Sequence, residues 1–350
     1  MSTFTIRANV VDILARRIFP GEVAVSNGRI FSVREVPGPA KRYLLPGFVD
    51  AHVHVESSLL IPSEFARLAV VHGTVATVSD PHEIANVLGV AGVEYMIDNG
   101  AQVPFRFFFG APSCVPATVY ETAGARIDAA AIGQLLERSD VGYLAEVMDF
   151  PGVLNGDHEV MAKIAHAHRL GKPVDGHAPG LRGDLAGKYI ASGISTDHEC
   201  FTREEALDKL AHGMRILVRE GSAARNFDAL IGLMHDHADH LMFCTDDMHP
   251  DSLVIGHIDR LCARAVSLGH DVFNVLRAAC INPVEHYRMP VGQLREGDPA
   301  DMILVEDLRD FKAHRTWVGG ELVAEDGRSL IPRIRASQPN NFKCTPKRPE

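Results

Sequence analysis

Short apolar runs alternate with longer amphipathic stretches through the middle of the chain. The short runs predict strands and the longer stretches predict helices, because a helix repeats its apolar positions roughly every three to four residues whereas a strand does not. The predicted strands are 45–53, 74–79, 104–110, 142–147, 173–176, 193–196, 215–219 and 241–245. Eight strand-then-helix units over about 245 residues are typical of a (β/α)8 barrel.

Polar residues at the starts of several predicted helices support this division. Asp80 is predicted to be an N-cap, with Pro81 in the first turn and Glu83 completing a capping box. The helix that follows should end before Gly100. The other two predicted caps are Thr202 and Asp157.

A doubly wound open sheet would show the same alternation, but it would need a glycine-rich nucleotide fingerprint at its first strand-to-helix turn. The first predicted strand runs instead into His52-Val53-His54. This difference favours the closed barrel.

The two ends of the chain follow a different pattern. Residues 4–41 and 293–328 show short strand patterns separated by turn pairs such as Asn27-Gly28 and Gly319-Gly320. The predicted fold is therefore α/β, a (β/α)8 TIM-type barrel with a small β-sandwich domain built from both chain ends. The predicted domains are 1–44 and 291–330 for the sandwich, 45–290 for the barrel, and 331–350 for a loosely held tail.

Composition narrows the class of protein. The chain has 35 Lys and Arg against 45 Asp and Glu, a net charge of −10, which argues against binding to nucleic acid or to an anionic membrane. The longest uncharged run, 107–120, is too short for a membrane-spanning helix, and the first thirty residues hold no apolar signal core. Six cysteines without a C-x-x-C pair fit a reducing compartment, so the predicted location is the cytoplasm.

Histidines and carboxylates stand at the carboxyl ends of the predicted barrel strands, where barrels of this kind carry their active sites. His52 and His54 can point the same way because side chains alternate along a strand. The residues at these ends are His52, His54, Glu146, His177, His198, Asp246 and Asp247. Such a set suits one or two divalent ions of Zn, Mn or Fe.

Other histidines do not meet the position test. The tract His235–His240 precedes the eighth strand and therefore lies on the opposite face of the barrel. His166 and His168 are two residues apart in a predicted helix, which does not place them on one face. Both groups are predicted to be surface residues. His82 follows the second strand on the active face, so it has a site interpretation as well as a capping one.

At this point the motifs resemble a known family. Residues 46–58 look like the opening of a metal-dependent amidohydrolase, and together with 79–87 they resemble bacterial adenine deaminases. Further matching strings are 149–153, 175–179, 196–199, 219–222 and 244–250. The resemblance extends over residues 9–328.

The resemblance implies a barrel with a small β-sandwich and a binuclear centre of Mn or Fe, with Zn as a third option. By position, His52, His54 and Asp246 would bind one ion. His177 and His198 would bind the other. Glu146 would bridge the two ions, replacing the modified lysine of many other amidohydrolases. No lysine lies on the fourth strand, and the nearest, Lys163, falls in the next helix.

The reaction implied is adenine plus water giving hypoxanthine plus ammonia. A metal-activated water would attack C6 of the purine. Asp246 would take the proton of this water and pass it to a ring nitrogen or to the leaving amine. His82, Glu83 and Asp247 are the residues expected to hold the purine edge, and no partner is expected beyond this small molecule and a second copy of the chain.

One departure leaves the substrate open. Adenine deaminases of this kind continue into a further C-terminal domain, whereas this chain is expected to end after the second sandwich segment and its tail. The alternatives are another aminopurine, a cyclic amide such as a hydantoin or dihydropyrimidine, or a catalytically silent metal-binding subunit.

Overall fold

The structure is a computed structural model that describes residues 3–118, 120–339 and 345–348. Four strands come first: β1 (Phe4–Asp12), β2 (Arg17–Ser26), β3 (Arg29–Glu35) and β4 (Tyr43–Pro46). Eight strands follow: β5 (Phe48–Val53), β6 (Thr74–Ser79), β7 (Arg106–Ala111), β8 (Val141–Val147), β9 (Val174–Gly176), β10 (Thr196–Asp197), β11 (Arg215–Arg219) and β12 (Leu241–Cys244). The last four are β13 (Met302–Val305), β14 (Ala313–Val318), β15 (Glu321–Glu325) and β16 (Arg328–Ser329).

Helices connect the middle strands. They are α1 (Pro62–Ala69), α2 (His82–Leu88), α3 (Val90–Gly100), α4 (Ala129–Glu137), α5 (Phe150–Asn155), α6 (His158–Arg169), α7 (Gly183–Ala191), α8 (Arg203–Ala211), α9 (Phe227–Leu230), α10 (Met234–His237), α11 (Pro250–Ile255), α12 (Ile258–Ser267), α13 (Val272–Leu276) and α14 (Asn282–Tyr287). Among the described residues, no helix is both long and apolar enough to span a bilayer.

Strands β5 to β12 lie side by side in chain order, all parallel, as the barrel prediction requires. The two outer strands, β5 and β12, also contact each other, and a parallel bridge joins Val53 to Asp246. The sheet therefore closes, and the predicted α/β barrel is confirmed. Its closing bridge lies at the carboxyl ends of the strands, where the predicted site residues stand.

The first predicted strand is in fact two strands that meet at Gly47. β4 pairs with β1 and β13 in the terminal sheet, whereas β5 begins the barrel. A Cβ atom at Gly47 would lie 2.3 Å from the Val75 side chain, so the crossing between the two sheets has room only for glycine. Predicted strands 74–79 and 215–219 match the structure residue for residue.

One predicted helix is wrong in both its cap and its length. The helix after β6 has Pro81 as its N-cap, and no side chain caps it. Asp80 turns inward instead, so that its Oδ2 lies 3.2 Å from His82 Nδ1. Gly89, with φ at 64°, then divides the predicted helix into α2 and α3. The predicted caps Thr202 and Asp157 are confirmed, since each side chain accepts backbone N–H groups of its helix.

Strands from both chain ends form one separate eight-stranded sheet, in the order β16-β15-β14-β13-β4-β1-β2-β3. Phe4 on β1 and Trp317 on β14 stack with ring centroids 6.1 Å apart. Three strand spacings in a flat sheet would separate them by about 14 Å, so the sheet curls and encloses its own apolar cluster. The exact domain bounds remain a prediction.

Part of the predicted tail lies against the barrel. Arg67 on α1 donates to the backbone oxygen of Ile331, and the Tyr95 hydroxyl donates to that of Ser337 at 3.2 Å. Ile331 is buried. Residues 340–344 and 349–350 of the predicted tail lie outside the described residues.

Asp301 connects the terminal sheet to the barrel and should be important for stability. Its buried carboxylate accepts the N–H groups of Gly292 and Gly319 at 3.1 and 2.6 Å, and it lies 3.4 Å from Arg106 on β7. Asp301→Ala leaves these donors without a partner and should lower the free energy of unfolding by about 2–3 kcal/mol in urea titrations. The exposed Asp236→Ala control should stay within about 0.5 kcal/mol of wild type. Equal losses in the two variants would contradict the role of Asp301.

Candidate metal centre

The six side chains predicted as metal ligands lie together at the carboxyl ends of the barrel strands. Each comes from the end of a strand or from the residues directly after it, and five of the six are buried. The exception is His177, whose side chain is 27% exposed. The six are His52, His54, Glu146, His177, His198 and Asp246.

Glu146 lies at the centre of this cluster. Its Oε1 is 3.3 Å from His54 Nε2 and 4.0 Å from His52 Nε2. Its Oε2 is 2.6 Å from His177 Nδ1 and 3.3 Å from His198 Nε2. One carboxylate thus faces two separate histidine pairs, one with each oxygen.

Asp246 reaches the cluster through an uncommon backbone conformation. Its φ of 57° lies in the left-handed region, which turns the chain sharply after β12. Its N–H donates to the His52 oxygen at 2.8 Å, and its own oxygen accepts from the His54 N–H at 3.1 Å. Its Oδ1 then lies 3.1 Å from His54 Nε2 and 3.5 Å from His52 Nε2. The same residue closes the barrel and faces the first histidine pair.

The cluster holds its carboxylates in the ionised form. Burial alone would raise the pKa of Glu146, but His177, His198 and His54 hold it well below the usual value. His52 and His54 overcome the effect of burial at Asp246 in the same way and keep its pKa well below the usual range. The two buried negative charges therefore require positive charge around them.

The donor set fits a metal ion. His52 Nε2 and His54 Nε2 lie 3.2 Å apart, and together with a carboxylate oxygen of Asp246 they fall within 4.8 Å of one another. His52, Glu146 and His198 form a second such group. Among the described residues, the buried His52 Nδ1 has no hydrogen-bond partner. Convergent nitrogen and carboxylate donors of this kind are what divalent transition ions prefer, so the cluster could hold a metal.

Asp80 orients one of these histidines. Its backbone oxygen lies 3.0 Å from His54 Nδ1. A proton on Nδ1 leaves Nε2 of the same ring free to bind a cation in the cluster. The sequence pattern suggested a helix cap for Asp80, because an Asp-Pro pair before an apolar stretch is typical of one.

Sequence reasoning assigned no role to two further charged residues of the centre. Glu199 Oε1 lies 3.4 Å from His198 Nε2, and Arg219 Nη1 donates to this oxygen at 2.5 Å. Arg219 Nη1 also donates to Asp246 Oδ2. Arg219 ends β11 and Glu199 lies two residues after β10, so the position rule that identified the six candidate ligands could have included both.

The three predicted substrate residues have different surroundings. His82 Nδ1 lies 3.4 Å from Glu146 Oε1, and Glu83 Oε2 lies 3.6 Å from His54 Nδ1, so both border the cluster. Asp247 instead accepts a 2.5 Å hydrogen bond from the Ser57 hydroxyl. Their role in binding a substrate remains a prediction.

The histidines excluded by position lie elsewhere. The side chain of His235 is 88% exposed, and the remainder of its tract lies at the surface before β12. In α6, His168 is exposed and His166 lies 3.0 Å from an Arg169 nitrogen.

Residues 43–323 match the sequence profile of the Amidohydrolase family. The chain is 57% identical over 344 residues to an adenine deaminase of Sulfurovum sp. (strain NBC37-1), a match that covers 98% of this chain and 64% of that protein. It is 54% identical over 334 residues to an adenine deaminase of Methanosarcina acetivorans, covering 95% and 60%. The resemblance identified from the motifs is confirmed, and the chain spans less than two thirds of the length of these curated relatives.

Solved structures share the fold. A beta-aspartyl dipeptidase from Fervidobacterium islandicum AW-1 superposes with a TM-score of 0.68 at 17% identity, covering 95% of this chain and 100% of the other. An adenosine deaminase from Xanthomonas campestris with bound Zn gives 0.64 at 16% identity, covering 93% and 94%. At these identities the likeness concerns the fold alone.

Divalent ions should stabilise the protein through this cluster. An ion that binds only the folded state and is present at a hundred times its Kd adds about 2.7 kcal/mol to the free energy of unfolding. Mn or Zn added after chelation should therefore raise the thermal midpoint of the wild type. His198→Ala should lose part of this rise, whereas His235→Ala, in the exposed tract, should keep all of it. A full rise in His198→Ala would place the ion elsewhere.

Proposed function

Since the chain belongs to the amidohydrolase family, we propose that it catalyses the hydrolytic deamination of adenine to hypoxanthine and ammonia at a binuclear metal centre. The observation that carries the proposal is Glu146, whose two oxygens face two separate histidine pairs with Asp246 beside the first. The high identity to adenine deaminases over nearly the whole chain supports the choice of substrate.

His52, His54 and Asp246 would hold one ion, His177 and His198 the other, with Glu146 between them. We propose Mn or Fe as the bound ions, as the resemblance to adenine deaminases implies. Zn is a third option, because histidine and carboxylate donors accept all three metals. When bound, such ions act as Lewis acids and lower the pKa of water towards neutrality. Lys163 does not take part, because its Nζ donates to the backbone oxygens of Ser113 and Ile127.

Asp246 is the proton carrier. Its Oδ2 is bound by the Arg219 guanidinium, which leaves Oδ1 as the atom that faces the histidine pair and can accept a proton. Asp246 takes the proton of the attacking water at Oδ1 and returns it to a ring nitrogen or to the leaving amine. Because Arg219 also binds Glu199, the carboxylate of Asp246 cannot rotate without breaking an ion-paired network.

His82, Glu83 and Asp247 bind the purine. The Glu83 side chain is 36% exposed beside the buried cluster, so its carboxylate can accept an N–H group of a ligand in the mouth of the barrel. His82, between Glu83 and Glu146, directs that edge of the ring towards the centre. We also propose a cytoplasmic location, which the five unpaired cysteines of the described residues support.

Ammonia release tests the function directly. The purified, Mn-loaded protein should release ammonia from adenine, and Asp246→Asn should lose at least about a thousandfold in kcat because it removes the proton carrier. The exposed Asp251→Asn variant is the matched control and should keep wild-type activity.

Each other outcome points to one alternative. Activity on a different aminopurine, or on a hydantoin or dihydropyrimidine, would change the substrate and keep the centre. Bound metal without turnover on any of these would indicate a metal-binding subunit that needs further residues or a second chain. Full activity of Asp246→Asn would contradict its assigned role.

Glu83 should affect substrate binding more than chemistry. Glu83→Gln removes the charge that accepts the substrate N–H, and we expect KM for adenine to rise about tenfold with a smaller change in kcat. The exposed Glu321→Gln control should change neither constant. A fall in kcat at unchanged KM would mean that Glu83 acts on the reacting atoms instead.

A further inference from the structure

A buried lysine lies outside the centre, on helix α8. The side chain of Lys209 is 1% exposed, and its Nζ has three acceptors. It donates to Ala178 O at 2.7 Å, to Glu205 Oε1 at 2.8 Å and to an oxygen of Asp197. Three donors thus meet three acceptors, two of which are buried carboxylates. We call Lys209, Asp197 and Glu205 the Lys209 cluster.

The Lys209 cluster is bonded to the loop that carries His198. Asp197, which precedes His198 in the chain, accepts the Glu199 N–H at 2.9 Å. Glu205 Oε2 accepts the Phe201 N–H at 3.2 Å. Both ends of the loop after β10 are therefore held by carboxylates of the cluster.

The same cluster is bonded to the loop that carries His177. Ala178, the residue after His177, provides the backbone oxygen that Lys209 binds. Glu205 Oε1 accepts the Gly180 N–H at 2.8 Å. One ammonium group therefore links the two loops whose histidines form the second pair of the centre.

The barrel strands provide little other support between the loops of His177 and His198. β9 has three residues and β10 has two, and they pair through only two residue positions. Two such short strands form few ladder hydrogen bonds, so the distance between the loops depends on side chains. The first histidine pair has more backbone support. His52 lies in the six-residue β5, and His54 follows Val53, which forms the bridge to Asp246.

The Lys209 cluster is not itself a metal site. Donor atoms of Asp197, Cys200 and Glu205 lie within 4.8 Å of one another, which is the spacing of a possible site. The Lys209 ammonium, however, already binds both carboxylates and provides the positive charge. Despite burial, this charge keeps the pKa of Asp197 below its usual value.

We propose that Lys209 is a positioning residue for the second metal ion, holding the loops of His177 and His198 at the separation that this ion requires. The inference rests on the binuclear centre of the proposed function. The three hydrogen bonds of Lys209 go to neither of the two histidine side chains, so it acts through the residues next to them. The first ion, at His52, His54 and Asp246, should not depend on it.

Metal content of Lys209→Met tests the inference. The wild type, dialysed against Mn, should hold two ions per chain, whereas Lys209→Met should hold one and bind the second with a Kd raised by about ten- to a hundredfold. Lys163→Met is the matched control, because it also removes a buried lysine that donates to two backbone oxygens, but from other loops. It should lose stability and keep both ions.

The outcomes separate the inference from the function on which it rests. A wild type with fewer than two ions would contradict the binuclear centre itself. Two tightly bound ions in Lys209→Met, or equal loss of the second ion in Lys163→Met, would overturn the positioning role. If Lys209→Met does not fold, Glu205→Gln keeps the acceptor for Gly180 while removing the charge, and it should weaken the second ion by about tenfold. Unchanged affinity in that variant would also overturn the role.

Discussion

The cost of keeping carboxylates charged inside a closed barrel shapes most of this structure. Glu146 and Asp246 lie where water is almost excluded, and a buried ionised carboxylate is unfavourable unless positive charge and hydrogen bonds surround it. The chain meets this requirement with four histidines on three strand ends and with Arg219 behind Asp246. Two divalent ions would complete the compensation, which is why the same arrangement that is costly for folding is favourable for metal binding.

The same requirement is met repeatedly around the centre. Glu199 is paired with Arg219, and Asp197 with Lys209. Asp50, two residues before His52, is fully buried, lies 2.9 Å from His257 Nε2 and accepts the Thr245 N–H at 3.0 Å. The carboxylates of Asp50 and Asp197 also bond the backbone beside a residue of the centre, so compensation of charge and placement of the histidines are achieved by the same contacts. Substitution of one partner would leave a buried charge and also release a loop.

The fold and the convergence of the six central side chains could be predicted from sequence because both depend on local patterns. Strand ends are visible as the ends of apolar runs, and parallel strands in a barrel bring these ends to one rim. The roles of Arg219 and Lys209 could not be predicted in this way, because Asp246 lies 27 positions after the first and Asp197 lies 12 before the second. Only the folded barrel brings such pairs together. Asp80 shows the opposite case, in which a strong local pattern gave a wrong cap because a nearby histidine competes for the carboxylate.

Asp246 must satisfy two requirements that are usually met by different residues, a left-handed backbone conformation and a carboxylate in the centre. The left-handed backbone at this position is tolerated by asparagine, aspartate and glycine, and costs other residues about 1–2 kcal/mol. The chemistry of the site, in turn, asks for a carboxylate. Few substitutions at this position are therefore tolerated during evolution. Glutamate would keep the charge and strain the turn, whereas asparagine or glycine would keep the turn and lose the charge. Divergence of this barrel towards new reactions should accordingly proceed through the loops around the rim, with position 246 retained as the junction of backbone and chemistry.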